Sequence, residues 1–157
     1  MPNDPLKYHG IDHVVLKVTA IEPSLAFYTG VLGMKLERII SDAGIYQLRC
    51  GRNLLDLQVL PSDRSLAAPE CRGIDHMCLL LDGDFDRVLA HLASHGIPIA
   101  WGPLELYGAT GFGTSVYVSD PDGHVIELKA DHALAPLRTT AKEALASLTR
   151  PTPKPRN

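Results

Sequence analysis

Two histidines and two acidic residues recur at matching places along the chain. The stretch GIDHVVLKV contains His13, and the similar stretch GIDHMCLLL contains His76. Asp56 and Glu127 lie in the apolar segments that close the two halves of the chain. Two imidazoles with one or two carboxylates suit a borderline divalent ion and leave positions open for a substrate. The pattern therefore predicts one divalent transition metal ion, Fe, Mn, Ni, Co or Zn.

The first of these histidines begins a strand in a predicted β-α-β-β unit. Apolar residues alternate with polar ones at the start, and a helical stripe follows Glu22 and Pro23 and ends at Gly33. Two further apolar runs are separated by a short turn. The expected elements are a strand at 12–18, the helix, strands at 45–50 and 54–60, and a further strand around 36–40.

The second half repeats this order after a linker at 61–72. A strand is expected at 74–81, a helix at 84–95 with Asp84 as its cap and Gly96 as its stop, and strands at 114–119 and 124–130. One such unit cannot bury its sheet alone, so the duplication predicts two units that pack together. We place the modules at 8–61 and 73–132, followed by an extension at 136–157 with a short helix at 140–148 and a disordered end.

Strand alternation places the polar candidates on the face opposite the apolar stripes. Asp56 shares its face with Leu54 and Gln58, and Glu127 shares its face with Lys129. An alternative is that the histidines are structural and that the carboxylates face solvent. Four such residues at corresponding positions in a duplication favour ligands over this alternative.

Composition excludes several classes of protein. The formal net charge of −3 and the lack of a basic run before the tail argue against nucleic-acid binding. No apolar stretch is long enough to span a membrane, and the first residues lack the features of a signal peptide, so a cytoplasmic protein is expected. Three cysteines without metal-type spacing argue against a disulfide framework, and Cys78 is expected in the interior of a strand.

Longer motifs identify a resemblance to a known family. SLAFYTGVLGM at 24–34 and SVYVSDPDGHVIELK at 115–129, together with the two histidine stretches, resemble the vicinal oxygen chelate superfamily. This superfamily includes glyoxalase I, bleomycin and fosfomycin resistance proteins, methylmalonyl-CoA epimerase and type I extradiol dioxygenases. The resemblance covers residues 10–129. It implies an α+β fold in which paired βαβββ modules form a cupped mixed sheet around a mononuclear metal.

The resemblance also implies roles for the candidate residues. It makes His13, His76 and Glu127 the metal ligands, with Asp56 at the position of a fourth ligand. The Asp56 side chain is one methylene shorter than the usual Glu or Gln, so Gln58 is considered as its substitute. Relatives of this kind are homodimers that act on small molecules, and we expect the same of this chain.

The implied chemistry begins with a substrate whose oxygens on neighbouring atoms chelate the metal. Glyoxalase-type lyase or isomerase chemistry is favoured, because Glu127 or Asp56 could act as the base. An Fe(II) extradiol-type dioxygenase is the main alternative, although no histidine lies between His95 and His124 to act in ring cleavage. A fosfomycin-type resistance enzyme and a metal-free small-molecule binding protein are further alternatives.

A few other residues are candidates for the pocket. Tyr117 is a candidate catalytic residue, and Arg49, Gln58 and Ser115 are candidate substrate-binding residues. Strand tyrosines also serve in packing, and an arginine on an edge strand is often simply solvated. The glycine-rich stretch at 108–113 is expected to be flexible and to close over the site.

Overall fold

The computed structural model describes residues 9–68, 71–82 and 84–131. The chain divides into two compact units between Ala67 and Ala68. Each unit contains a four-stranded mixed sheet, which confirms the predicted α+β fold of two βαβββ modules. The predicted extension at 136–157 and its helix lie outside the described residues. Within the described part of the chain, no helix is both long and apolar enough to cross a membrane.

The first module contains four strands and a short helical segment. Its elements are β1 (His13–Val18), α1 (Ile21–Leu25), β2 (Lys35–Ile40), β3 (Ile45–Cys50) and β4 (Asn53–Val59). A π-helical turn, Ala26–Val31, extends α1. The strand order is β1-β4-β3-β2, and β1 runs parallel to β4 while the other pairs are antiparallel. β4 therefore lies between β1 and β3, at the centre of the sheet.

The second module repeats this arrangement. Its elements are β5 (Met77–Leu81), α2 (Phe85–Ser94), β6 (Trp101–Gly108), β7 (Gly111–Ser119) and β8 (Val125–Asp131). The strand order is β5-β8-β7-β6, with β5 parallel to β8. β8 occupies the same central place as β4 in the first module. Both sheets are thus built on one plan, as the repeated sequence predicts.

The helix boundaries follow from local chemistry. The Asp84 carboxylate accepts a hydrogen bond from the Asp86 amide and caps α2, as predicted. Gly33 and Gly96 follow the two helices with φ of 71° and 66°, a conformation that strongly favours glycine. The predicted helix stops are therefore confirmed.

β6 is the element that the sequence pattern did not predict. Its sequence, WGPLELYG, contains Pro103 and two glycines, which disguise a strand. Proline is tolerated here because β6 is the edge strand of its sheet. The expectation of a flexible stretch at 108–113 is wrong, since these residues form the end of the β6–β7 hairpin and β7 begins at Gly111 rather than at residue 114.

Candidate functional site

Glu127 lies at the centre of the second sheet and is held from several sides. It is on β8, between Cys78 of β5 and Tyr117 of β7, and is only 6% exposed. Ser115 Oγ donates a hydrogen bond to Glu127 Oε1 at 2.6 Å, and the Tyr117 hydroxyl donates to Oε2 at 2.9 Å. His76 Nε2 lies 3.1 Å from the same Oε2. Both carboxylate oxygens therefore have partners, and the carboxylate is fixed in orientation.

The surroundings of Glu127 keep its neighbours protonated. Burial, followed by the hydrogen bond to Glu127, raises the pKa of Tyr117, so the phenol remains a donor at neutral pH. Partial desolvation, followed by the Glu127 charge, raises the pKa of the Cys78 thiol to about 11. Cys78 lies on strand β5, as expected, but the expectation that it packs in the interior is wrong, because the residue is exposed.

An aromatic row extends along the face that carries Glu127. The Tyr117 ring makes edge contacts with His76 at a centroid distance of 5.4 Å and with Trp101 at 5.8 Å. Trp101 is the register partner of Tyr117 across β6 and β7, and it remains 48% exposed. A half-exposed tryptophan therefore lies directly beside Tyr117, the residue that hydrogen-bonds to Glu127.

Asp56 occupies the equivalent central place in the first sheet, with fewer partners. It is on β4, between Val15 of β1 and Gln47 of β3, and is 4% exposed. Gln47 Nε2 donates a hydrogen bond to Asp56 Oδ2 at 2.9 Å. The other oxygen, Oδ1, is buried and has no hydrogen-bond partner among the described residues. Buried polar atoms are nearly always paired, so this oxygen is a candidate to bind a metal, a substrate or a proton.

Each of the two histidines is held by the aspartate that precedes it. His13 Nδ1 lies 2.7 Å from Asp12 Oδ1, and His76 Nδ1 lies 2.7 Å from Asp75 Oδ2. The hydrogen bond to Asp12 is the main cause that raises the pKa of His13, and the Asp56 charge adds to it. Because Nδ1 is engaged in both rings, Nε2 is the nitrogen that remains for a ligand.

The structure brings the predicted ligands together in two partial sets. The first module holds His13 and Asp56, and the second holds His76 and Glu127. Within residues 9–68, 71–82 and 84–131, no group of three or more His, Cys, Asp or Glu side chains is close enough to hold a metal ion. The donors themselves, imidazole nitrogens and carboxylate oxygens, are those that borderline divalent ions prefer.

Comparison with known proteins identifies the family of this chain. A family model described as the Glyoxalase/Bleomycin resistance protein/Dioxygenase superfamily matches residues 10–128. The chain belongs to this superfamily. The match spans both modules and confirms the resemblance found in the sequence. The superfamily includes enzymes of more than one class, so membership of it leaves the reaction open.

Individual relatives within the superfamily differ in what they do. A virulence protein of Salmonella typhimurium is 30% identical over 75% of this chain and 81% of its own length. A catechol-2,3-dioxygenase of Bacillus subtilis is 31% identical over 77% of this chain, which spans 41% of that enzyme. Among solved structures, an integron cassette protein of V. cholerae is 31% identical and covers 81% of this chain and 98% of its own, with a TM-score of 0.68.

The remaining predicted site residues have definite surroundings. Arg49 forms a two-pronged ion pair with Glu37, at 2.7 Å through Nε and 2.6 Å through Nη2, which lowers the pKa of Glu37. Gln58 lies on the Asp56 face of β4 and is half-buried, and Ser115 is fully buried against Glu127. A substrate contact with Arg49 would therefore compete with the ion pair that already holds the guanidinium.

The glycine-rich hairpin makes room for a buried lysine. Lys129 Nζ donates a hydrogen bond to the Gly111 carbonyl at 2.6 Å, and Lys129 is 3% exposed. A Cβ atom at Gly108 would lie 2.7 Å from Lys129 Nζ, and one at Gly113 would lie 2.6 Å from Lys129 Cε. These two glycines thus give space to Lys129 rather than flexibility to a loop.

Several residues around the carboxylates were missed in the sequence. Asp12 and Asp75 had a visible signal, because both precede the histidines in the repeated GIDH stretch. Gln47 could have been found only through the β3–β4 register, which places it beside Asp56. Trp101 had no such signal, since its strand was not predicted.

Proposed function

We propose that this protein is an enzyme that uses one divalent transition metal ion per chain. His13, His76 and Glu127 would hold the ion, which is Fe, Mn, Ni, Co or Zn. The support is chemical: the preceding aspartate already engages Nδ1 of each histidine, which leaves Nε2 as the ligand nitrogen, and the Glu127 carboxylate is already oriented by Ser115 and Tyr117. Such an arrangement reduces the reorganisation that metal binding requires.

The substrate is a small molecule with oxygens on neighbouring atoms. A bound divalent ion would stabilise the negative charge that develops on those oxygens during reaction. Trp101 is half-exposed beside Tyr117, and this adds an apolar surface next to the polar centre. Small-molecule sites commonly combine a few polar groups with apolar walls of this kind.

The unpaired oxygen of Asp56 is the observation that carries the choice of reaction. A general base needs a free lone pair, and Asp56 Oδ1 has one, while Gln47 holds the other oxygen. Glu127 is less suited to this task because Ser115 and Tyr117 already donate to both of its oxygens. Asp56 Oδ1 would therefore take a proton from the carbon next to the substrate's neighbouring oxygens and return it to the adjacent carbon, which is chemistry of the glyoxalase lyase or isomerase type.

An extradiol-type dioxygenase is the second candidate. The catechol-2,3-dioxygenase of Bacillus subtilis supports it, because that enzyme is 31% identical to this chain over 123 residues. The absence of a histidine between His95 and His124 opposes it. The neighbours that bear a lyase name are less similar in sequence: a lactoylglutathione lyase of Agrobacterium tumefaciens is 22% identical, which speaks for the fold alone.

A side-by-side screen decides between the two reactions. Protein is stripped of metal, reloaded with Fe(II), Ni(II), Mn(II) or Zn(II), and assayed against an α-oxoaldehyde hemithioacetal, a set of catechols with oxygen, and fosfomycin with thiols. We expect turnover of the hemithioacetal, and we expect Asp56→Asn to reduce it by about 10²- to 10⁴-fold. Ring cleavage of a catechol by the Fe(II) form alone would instead establish the dioxygenase.

A metal-free binding protein is distinguished by a simple variant. If the protein only sequesters a small molecule, the double variant His76→Ala/Glu127→Ala keeps its ligand affinity. A chelating enzyme loses metal and turnover together. Tyr107→Phe is a matched control, because Tyr107 is exposed at the end of the β6–β7 hairpin and contacts Phe112 rather than Glu127.

We further propose that the protein is a cytoplasmic homodimer. Members of this superfamily are commonly oligomeric, and light scattering at micromolar concentration tests the assembly directly. A dimer mass is expected, and a monomer mass at that concentration contradicts the proposal.

A further inference from the structure

The repeated GIDH stretch places the same side-chain pair in both modules. In each, the aspartate carboxylate lies 2.7 Å from Nδ1 of the histidine that follows it. Both carboxylates are almost fully exposed, at 92% and 96% of the side chain. Side chains this exposed are not held in place by packing, so the same contact in both modules is attributable to the aspartate-histidine pair itself.

The backbone that carries the first of these aspartates is anchored to the start of β4. The Leu54 amide donates to the Asp12 carbonyl at 3.0 Å, and the Asn53 side chain donates to the Ile11 carbonyl. Asp12 therefore stands at a fixed place beside His13, just before β1. Its backbone position is set by these contacts with the first residues of β4 and not by its own side chain, so a change of that side chain leaves the backbone contacts in place.

The choice of tautomer matters because a neutral imidazole has two ring nitrogens but only one N–H proton, which is on either Nδ1 or Nε2. A ligand nitrogen must present a lone pair, and this requires the proton to be on the other nitrogen. At His76 two acceptors compete for that proton: Asp75 at 2.7 Å from Nδ1 and Glu127 at 3.1 Å from Nε2. Asp75 makes the shorter contact and favours the proton on Nδ1.

We propose that Asp12 and Asp75 are positioning residues that hold the Nδ1–H tautomer of His13 and His76, so that Nε2 of each ring is free for a metal ion. This inference rests on the proposed metal centre. It also predicts a difference between the modules. Without Asp75, the proton of His76 moves to Nε2 and is donated to Glu127, which removes the ligand lone pair. At His13, none of the described contacts offers Nε2 such an acceptor, so loss of Asp12 has a smaller effect.

The first test is metal affinity. Metal-free wild type and its variants are titrated with Zn(II) and with Ni(II) against a chromogenic chelator at fixed pH. Loss of an outer partner of a ligating histidine typically weakens metal binding about 10- to 100-fold. We expect Asp75→Ala to weaken metal binding by about 100-fold and Asp12→Ala by about 10-fold. The two Asn variants should have affinities between those of the Ala variants and wild type, because the Asn oxygen still accepts a hydrogen bond from Nδ1–H.

Matched controls separate this effect from a general loss of negative charge. Asp42→Asn in the first module and Asp86→Asn in the second each remove one exposed carboxylate that is not paired with a histidine. We expect both to bind metal as wild type does. Equal weakening in the controls and in the Asp12 and Asp75 variants would overturn the inference.

The second test reads the ring protons in the metal-free protein. Two-bond 1H–15N correlations at about pH 9, where an imidazole of ordinary pKa near 6.5 is neutral, report which ring nitrogen is protonated. We expect Nδ1–H for both histidines in wild type and Nε2–H for His76 in Asp75→Ala. A wild type with Nε2–H in both rings would refute the proposal. If wild type binds neither ion, the proposed metal centre fails, and the tautomer result then decides this inference by itself.

Discussion

The two modules share a strand order and an aspartate-histidine pair, but they differ in what surrounds the central carboxylate. In the second module, Ser115 and Tyr117 donate to both oxygens of Glu127. In the first, Gln47 donates to one oxygen of Asp56, and the other oxygen is buried without a partner in the part of the chain that the structure describes. The same backbone plan thus holds one satisfied carboxylate and one that is only half satisfied.

The difference arises on the neighbouring strands. The β7 partner of Glu127 is Tyr117, whereas the β3 partner of Asp56 is Gln47. The hydroxyl of Tyr117 adds to that of Ser115, but Gln47 acts alone. After a duplication, backbone positions are retained because the core requires them, while side chains on the polar face are free to diverge. We infer that one module came to supply a fixed ligand and the other a proton acceptor.

The largest expected effect comes from removing a histidine from either module. His13→Ala and His76→Ala should each reduce bound metal from about one ion per chain to almost none, because each deletes one of the three proposed ligands. Turnover should fall at least about 1,000-fold, on the order of the loss of a complete catalytic group. Elemental analysis after gel filtration measures the metal.

His91→Ala is the control for both variants, since His91 lies exposed on α2. Full metal content in only one of the two ligand variants would show that a single module binds the ion.

Replacing each carboxylate by its amide should change stability in opposite directions. In metal-free protein, Glu127→Gln should cost about 1–3 kcal/mol, because Ser115 and Tyr117 lose a charged acceptor that satisfied both. Asp56→Asn should raise stability by about 1 kcal/mol, because it removes a buried charged oxygen without a partner. Urea unfolding at neutral pH measures both. If both variants change the free energy of unfolding in the same direction, the two carboxylates do not differ as proposed.

A smaller effect on metal binding is expected from removing the Tyr117 hydroxyl, which donates a hydrogen bond to Glu127. Tyr117→Phe deletes the hydrogen bond to Oε2 and should weaken Zn(II) binding about tenfold, the lower end for an outer partner of a ligand. Tyr107→Phe removes the same atom from an exposed ring and should have no effect. Chelator competition measures both, and equal affinities for the two variants would show that Tyr117 only fills space.

The smallest effect concerns Cys78, which reports on the charge of Glu127. With a pKa of about 11, its thiol reacts slowly at pH 8 despite its exposure, and the rate should rise with pH until about pH 11 as the thiolate forms. Glu127→Gln removes one cause of the raised pKa, so alkylation at pH 8 should become a few times faster. Mass spectrometry of the Cys78 peptide follows the rate. An unchanged rate would mean that Glu127 does not contribute to this raised pKa.

The fold was largely predictable because its signals are local. Alternation identified the strands, and Asp84, Gly33 and Gly96 marked the ends of helices. β6 was missed because Pro103 and its glycines hide an edge strand, whose one-sided pairing tolerates them. No local sequence pattern shows that this segment lies at the edge of the sheet.

The candidate site was only partly predictable for a different reason. His13, His76, Asp56 and Glu127 could be selected by residue type and repetition. Gln47 could not, because its pairing with Asp56 depends on the register between β3 and β4, and only the structure fixes that register.

The most direct test of the proposal that Asp56 is the base, and not a metal ligand, compares metal content and turnover in one variant. Asp56→Asn keeps the shape of the side chain and its place beside Gln47, but removes the base. We predict about one metal ion per chain, as in wild type, together with a kcat lower by about 10²- to 10⁴-fold, the usual contribution of a general base. Loss of the metal along with turnover would make Asp56 a ligand, and unchanged turnover would contradict its role as the base.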